Sequence, residues 1–145
     1  MRAMIEAAIP RRLRLRTQAI ALRLRLGAWL RRRSLPDLLR ALSAGPRAAE
    51  PVPLVQVEEA LRASEALLSR LHVLPDTCLY RSLTRYAVLR RAGHPARFVM
   101  GIKRPSGAEI TGHAWVEIGG VPAFEEIEPE LVVTFSYPSG LASEP

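Results

Sequence analysis

Cysteine is scarce in this sequence: Cys78 is the only one in 145 residues. A lone cysteine cannot form a disulfide within the chain, and it cannot build a cysteine-based zinc site. His72 and His94 have no partner at metal-binding spacing, so we expect no metal centre, and no motif indicates a cofactor. Cys78 is therefore either a packed structural residue or a reactive thiol.

Long apolar runs are absent as well. No window approaches 18 uncharged apolar residues, which excludes a membrane-spanning helix. The arginine-rich start lacks the apolar core and the small-residue cleavage site of a signal peptide, so we expect a cytoplasmic protein. With 48% hydrophobic content, 145 residues suffice for one compact domain with a real core but not for two ordinary domains.

Acidic and aromatic residues are rare in the first forty positions. This segment holds 11 arginines against Glu6 and Asp37, a net charge of +9, whereas the rest of the chain carries −2. Trp29 is its only large aromatic residue, so base stacking is poorly supported and we expect no nucleic-acid partner. The segment is either a solvated cationic helix face or a surface for an acidic protein or an anionic membrane.

Three helices are predicted before Cys78. Leucine, alanine and arginine favour a helix at 10–33, although local Arg-Leu alternation mimics the period of a strand. Ser34 and Asp37 have the spacing of a capping box, which predicts a second, short helix. The glycine- and proline-rich stretch 43–53 predicts a linker or a mobile loop, and apolar residues along one face predict a third helix at 55–72.

A fourth helix is predicted from Cys78 to Ala92. Asp76 or Thr77 is expected to cap its start, and Gly93 is expected to end it. The segments with strand character that follow are Ala96–Lys103, Ile110–Ile118, Val121–Phe124 and, as a possible fourth, Leu131–Phe135. The connections between them are predicted to be a turn at Arg104–Gly107, a tight Gly119-Gly120 turn and an irregular acidic segment at Glu125–Glu130.

Helices followed by antiparallel strands indicate an α+β fold. We divide the chain into a basic helical segment with its linker at 1–53, a core at 54–137 and a frayed tail at 138–145, with fraying expected from Tyr137 onward.

Cys78 occupies the predicted start of a helix. Unpaired backbone N–H groups and the helix dipole stabilise a thiolate at such a position, which favours a nucleophile. The same N–H groups, that of Cys78 among them, are placed to hold the oxyanion of a tetrahedral intermediate. Because free cysteines are usually buried, a purely structural role remains the alternative.

His113 lies in a predicted strand, on the same face as Thr111, Trp115 and Glu117. After the Gly119-Gly120 turn the chain returns beside His113, so that Glu125 or Glu126 is expected to face the imidazole and fix its tautomer. The alternation of side chains between the two faces of a strand does not decide between these two glutamates. The order cysteine, histidine, acid is typical of an activated cysteine that attacks an acyl group. The alternative is a structural histidine beside a solvated acidic run.

Three stretches resemble the transglutaminase-like leader peptidase of lasso-peptide biosynthesis. They cover LPDTCLYRSL at 74–83, LRRAGHPARFVMGI at 89–102 and GHAWVE at 112–117, within a resemblance that extends over about residues 10–136. The combination is specific: a cysteine opens a helix, a Gly-x-Pro-Ala turn leads into a strand, and His-Ala-Trp-Val-Glu follows.

The resemblance implies a transglutaminase-like, papain-like core that cuts the leader from a ribosomally made precursor before a cyclase closes the macrolactam. It implies Cys78 as nucleophile, His113 as general base and acid, and Glu125 as the acid, where the family usually has aspartate; Glu126 is the alternative. Because the chain leaves no room for a fused recognition domain, it also implies a separate leader-recognition protein, with the cyclase as a further candidate partner. The competing hypotheses are an acyltransferase that acts on amines and a non-catalytic peptide-binding scaffold.

Overall fold

Helices fill the first part of the chain, and an antiparallel sheet fills the second. The computed structural model describes residues 9–72, 74–103 and 109–139. The helices are α1 (Arg11–Arg32), α2 (Leu35–Ser43), α3 (Leu54–Leu71) and α4 (Cys78–Arg91). The strands are β1 (Ala96–Lys103), β2 (Thr111–Ile118), β3 (Val121–Pro122) and β4 (Val132–Tyr137). The fold is α+β, as predicted from the order of the elements.

Helix α1 forms in spite of its strand-like alternation because its buried residues repeat with a helical period. Leu15, Ala19, Leu22 and Leu26 are buried at intervals of three or four residues and join the same core as α4 and the sheet. Helix α1 contacts both α3 and α4. The proposed boundary at residue 53 thus lies between elements that share one core, and it stays a prediction.

No helix of the described residues is long and apolar enough to cross a membrane.

Two predictions about the next segments can be compared with the structure. The cap of α2 is confirmed, since the Asp37 N–H donates to Ser34 Oγ over 3.3 Å. The stretch predicted as a linker or a mobile loop has neither helix nor strand at 44–53, but it is fastened to the end of α4. The Ala48 N–H donates to the Arg91 carbonyl at 2.8 Å, and the Val52 N–H donates to the Ala92 carbonyl at 2.9 Å. These two backbone hydrogen bonds tie the connection to the end of α4.

The sheet has the order β3-β2-β1-β4 and is antiparallel throughout. Helix α4 covers the face that carries Phe98 and Val116, two residues of the buried core. Strand β3 ends at Pro122, two residues earlier than predicted. One further bond follows, since the Ala123 N–H donates to the Val116 carbonyl at 2.8 Å, and the left-handed φ of 68° at Phe124 then turns the chain away. The predicted turn at Arg104–Gly107 lies outside the described residues.

The last strand is longer than the sequence indicated. It runs to Tyr137, which pairs with Phe98 and packs edge-on against Tyr86 with ring centroids 6.3 Å apart. The expectation that fraying begins at Tyr137 is therefore wrong, because a core contact holds this residue. Residues 140–145 lie outside the described part of the chain.

Candidate active site

Cys78 is the first residue of α4, and Thr77 is the cap of this helix. Thr77 Oγ1 accepts a hydrogen bond from the Tyr80 N–H at 3.4 Å, so of the two predicted caps Thr77 takes the position. Helix geometry leaves the N–H groups of Cys78 and Leu79 without an acceptor inside the helix. Cys78 is a free, partly buried thiol. It lies where backbone N–H groups point towards any group bound in front of the helix.

Asp76, the other predicted cap, forms an ion pair with α1. The Arg23 side chain is only 2% exposed, and its Nη2 donates to Asp76 Oδ1 at 3.1 Å and to the Pro75 carbonyl at 2.9 Å. Its guanidinium also lies 5.7 Å from the centroid of the Tyr80 ring. In the sequence Arg23 is one of many arginines, although it is four residues from buried Ala19 and shares its helix face. Arg23 thus fastens the turn that leads into Cys78.

One face of α4 connects Cys78 to the second strand. Cys78, Ser82 and Arg85 are spaced by four and three residues and share this face. Ser82 Oγ donates to the carbonyl of Ala114, the neighbour of His113, at 2.6 Å. The far end of α4 leads into β1 at the end of the sheet opposite to His113. The start of α4 therefore lies toward the His113 end of β2. Among the described residues the Cys78 thiol forms no hydrogen bond with the imidazole.

His113 is held by a carboxylate and by an aromatic ring. Its Nε2 donates to Glu125 Oε1 at 2.6 Å, and the imidazole lies parallel to the Trp115 indole with centroids 6.0 Å apart. Within the described residues its Nδ1 makes no hydrogen bond. Trp115 is 3% exposed, and its Nε1 donates to Glu117 Oε1 at 3.0 Å. The ring is therefore fixed in one tautomer, with a second nitrogen available for a proton.

Glu125, and not Glu126, reaches the imidazole. Strands β2 and β3 pair Glu117 with Pro122, and an unbroken ladder of this register would have placed Glu126 opposite His113. The left-handed φ of Phe124 ends the ladder and brings Glu125 to this position instead. Glu126 is exposed. The alternation of side chains along a strand could not distinguish the two glutamates, because the choice depends on the φ angle of Phe124.

The second oxygen of Glu125 contacts a buried arginine that the sequence analysis missed. Arg85 is 8% exposed, and its Nη1 donates to Glu125 Oε2 at 2.7 Å. Its Nε and Nη2 donate to the two oxygens of Glu65 at 2.8 and 3.0 Å. Burial disfavours the charged guanidinium, but Glu65 and Glu125 more than offset this effect and raise the pKa of Arg85. The signal in the sequence is a charged residue inside the apolar run of α4.

A depression of about 340 Å³ opens beside the imidazole. Its wall includes an ion pair between Lys103 and Glu128, where the lysine hydrogen bond and charge lower the pKa of Glu128. Part of the acidic segment is thus paired rather than simply solvated. The residues that line the depression are Lys103, Thr111, Gly112, His113, Glu126, Glu128 and Leu131.

The chain shares its sequence pattern with a known family. The family described as the transglutaminase-like superfamily matches residues 7–136. Comparison with curated proteins and with solved structures gives no significant match. The helix that begins at Cys78, the antiparallel sheet that carries His113 and this match over most of the sequence agree, and the chain belongs to the transglutaminase-like superfamily.

Proposed function

We propose that this protein is a cysteine peptidase that removes the leader from a ribosomally made lasso-peptide precursor, before a separate cyclase closes the macrolactam. The observation that carries the chemistry is the 2.6 Å hydrogen bond from His113 to Glu125 at the end of the sheet toward which Cys78 opens its helix. The substrate class rests on the motifs around Cys78 and His113 that resemble the leader peptidases. Many members of the superfamily are cysteine proteases or acyltransferases.

In the proposed mechanism, His113 takes the proton of the Cys78 thiol, and the thiolate attacks the scissile carbonyl. The backbone N–H of Cys78 stabilises the oxyanion. When the C–N bond breaks, the imidazolium gives its proton to the leaving amine and a thioester remains. Water, deprotonated by His113, attacks the thioester; the C–S bond breaks, the leader leaves as a carboxylic acid, and the thiol is restored. Glu125 holds the imidazole and stabilises its charged form.

The direct test is Cys78→Ala, assayed on precursor together with the recognition protein. The wild-type chain is expected to release leader and core peptides, and the variant is expected to release neither. Cys78→Ser is the matched control, because it replaces the thiol by a hydroxyl group of similar size that is a much weaker nucleophile. Full processing by Cys78→Ala would exclude the mechanism.

An acyltransferase that acts on amines would use the same residues. The two activities differ in what attacks the thioester, so the assay is repeated with an excess of a primary amine. A peptidase gives a leader with a free carboxylate, whereas an acyltransferase gives the amide. Predominant amide product would assign the second function.

The partners that we propose are the leader peptide, a separate leader-recognition protein and, as a further candidate, the cyclase. Helix α1 presents exposed arginines on its outer side, and its first turn contains no acidic residue. An acidic surface of the recognition protein is the complementary partner.

A further inference from the structure

Four ionisable side chains form one continuous chain of hydrogen bonds behind the proposed site. His113 bonds one oxygen of Glu125, Arg85 bonds the other, and Arg85 binds Glu65 through two further N–H groups. The Arg85 side chain is 9% exposed, Glu65 is 19% exposed and Glu125 is 23% exposed. Solvent screening is therefore weaker here than for an ion pair at the surface.

Glu125 needs such an anchor because its backbone lies outside the sheet. Strand β3 ends at Pro122, and Glu125 follows the left-handed Phe124 in an irregular segment. Glutamate also has one more rotatable bond than the aspartate usual in the family. A carboxylate on a long side chain in an irregular segment has many orientations, and only a few of them place an oxygen against His113 Nε2.

Arg85 is suited to restrict that freedom. It projects from the middle of α4, the same rigid helix that begins with Cys78, so one element positions both the thiol and the orientation of the acid. Its planar guanidinium directs N–H groups at two carboxylates at once, which the single ammonium of lysine cannot reproduce. Arg85 and its two glutamates carry a net charge of −1, which a protonated His113 neutralises.

We propose that Arg85 is a positioning residue, which fixes the Glu125 carboxylate so that its Oε1 orients His113 for proton transfer with Cys78. This proposal rests on the proposed function, and it assigns to α4 a second task in the site. Arg85 touches no reacting atom and acts only through Glu125.

The test compares Arg85→Lys with the wild-type protein, with Arg40→Lys on the exposed surface of α2 as the matched control. In Arg85→Lys we expect kcat on the precursor to fall about tenfold to a hundredfold while KM stays within about twofold, since the geometry of proton transfer is lost and substrate contacts are kept. The His113 Nε2–H proton resonance, which is far downfield when bonded to a carboxylate, is expected to move upfield or to broaden. Arg40→Lys is expected to change neither. An unchanged kcat per folded molecule, or an unchanged resonance, in Arg85→Lys would overturn the proposal.

A second variant covers the case in which Arg85→Lys does not fold. The double variant Arg85→Met with Glu65→Leu replaces the buried pair by apolar side chains, an exchange that cores often tolerate. It leaves Glu125 and His113 in place without the anchor, and the same losses of kcat and of the downfield resonance are expected. Retention of both in the folded double variant would assign the pair to stability alone.

The resonance separates this proposal from the proposed function, because it needs no substrate. If the wild-type protein cleaves no precursor, the proposed function fails. The effect of Arg85 on the His113 signal still decides whether Arg85 orients the acid and the imidazole.

Discussion

Glu125 makes two contacts that Glu126 lacks, one to His113 Nε2 and one to Arg85 Nη1. Glu125→Gln keeps the size of the side chain but removes the charge that stabilises an imidazolium. We expect kcat to fall about a hundredfold or more, as is usual when the acid of such a triad becomes an amide. Glu126→Gln is the matched control at the neighbouring position and is expected to stay within about twofold. Equal losses in the two variants would contradict the assignment of Glu125.

Residue types and spacing suffice to predict part of this site. Cys78 at a helix start and His113 on a strand are both where the sequence placed them. The choice between Glu125 and Glu126 could not be predicted, because it depends on the left-handed conformation of Phe124, a residue with no special preference for it. The contacts of Arg85 could not be predicted either. The helical period shows that this position is buried, but it does not show which carboxylates the arginine binds.

At the scale of the elements, α1 supports the start of α4 through Arg23. Arg23→Met keeps a long apolar stem but removes the bonds to Asp76 and to the Pro75 carbonyl. We expect the free energy of unfolding to fall by about 1–3 kcal/mol. We also expect slower alkylation of Cys78 in the folded variant, since the turn before it is released. Arg16→Met, on the exposed side of the same helix, is the control, and an equal loss of stability there would contradict the role of Arg23.

The packing of α2 against α4 predicts a dependence of stability on pH. Tyr86 is fully buried and its hydroxyl lies 2.6 Å from Ser43 Oγ. Burial raises the pKa of Tyr86 above 10.0, so the folded state disfavours the phenolate. This contribution to stability is complete below pH 10 and is lost as the pH rises through the folded-state pKa.

The variant Tyr86→Phe isolates this contribution. It is expected to lose about 1 kcal/mol at neutral pH, where the hydrogen bond to Ser43 is missing. Between about pH 8 and about pH 11, however, it should lose less stability than the wild-type protein, because it has no phenol to ionise there. Urea unfolding at both pH values measures the difference. Identical losses in the two proteins would show that Tyr86 does not titrate in this range.

The elements could be predicted to different degrees for physical reasons. Caps and helical periods located α1 to α4, since these signals act within a few residues of one another. The end of β4 was misjudged because it depends on a contact distant in sequence, and the end of β3 was misjudged because it depends on a backbone conformation that the residue types do not reveal. The left-handed Phe124 turns the chain away after β3, whereas the contact of Tyr137 with Tyr86 extends β4.

For the whole molecule, the concentration of positive charge in the first forty residues predicts that an acidic partner binds this segment. Arginines are concentrated in the first forty residues, and a cavity of about 530 Å³ lies between the start of α1 and the end of α4, with Arg11, Arg14 and Arg91 on its wall. We expect charge reversal of Arg11, Arg12, Arg14 and Arg16 to weaken binding of the recognition protein about tenfold or more, with a smaller dependence on salt. Titration by calorimetry at two salt concentrations measures both effects. Binding that survives the reversal would refute this docking role.

We propose that the fold turns Cys78 into a nucleophile by means of His113 and Glu125. Because the chain has one cysteine, alkylation by iodoacetamide reports on Cys78 alone. The most direct measurement is its rate at about pH 6, where an ordinary thiol is protonated, in the folded protein, in the urea-unfolded chain and in folded His113→Ala. We predict that the folded protein reacts at least about tenfold faster than both others. Equal rates in all three would show that the fold does not activate Cys78 and would favour a non-catalytic scaffold.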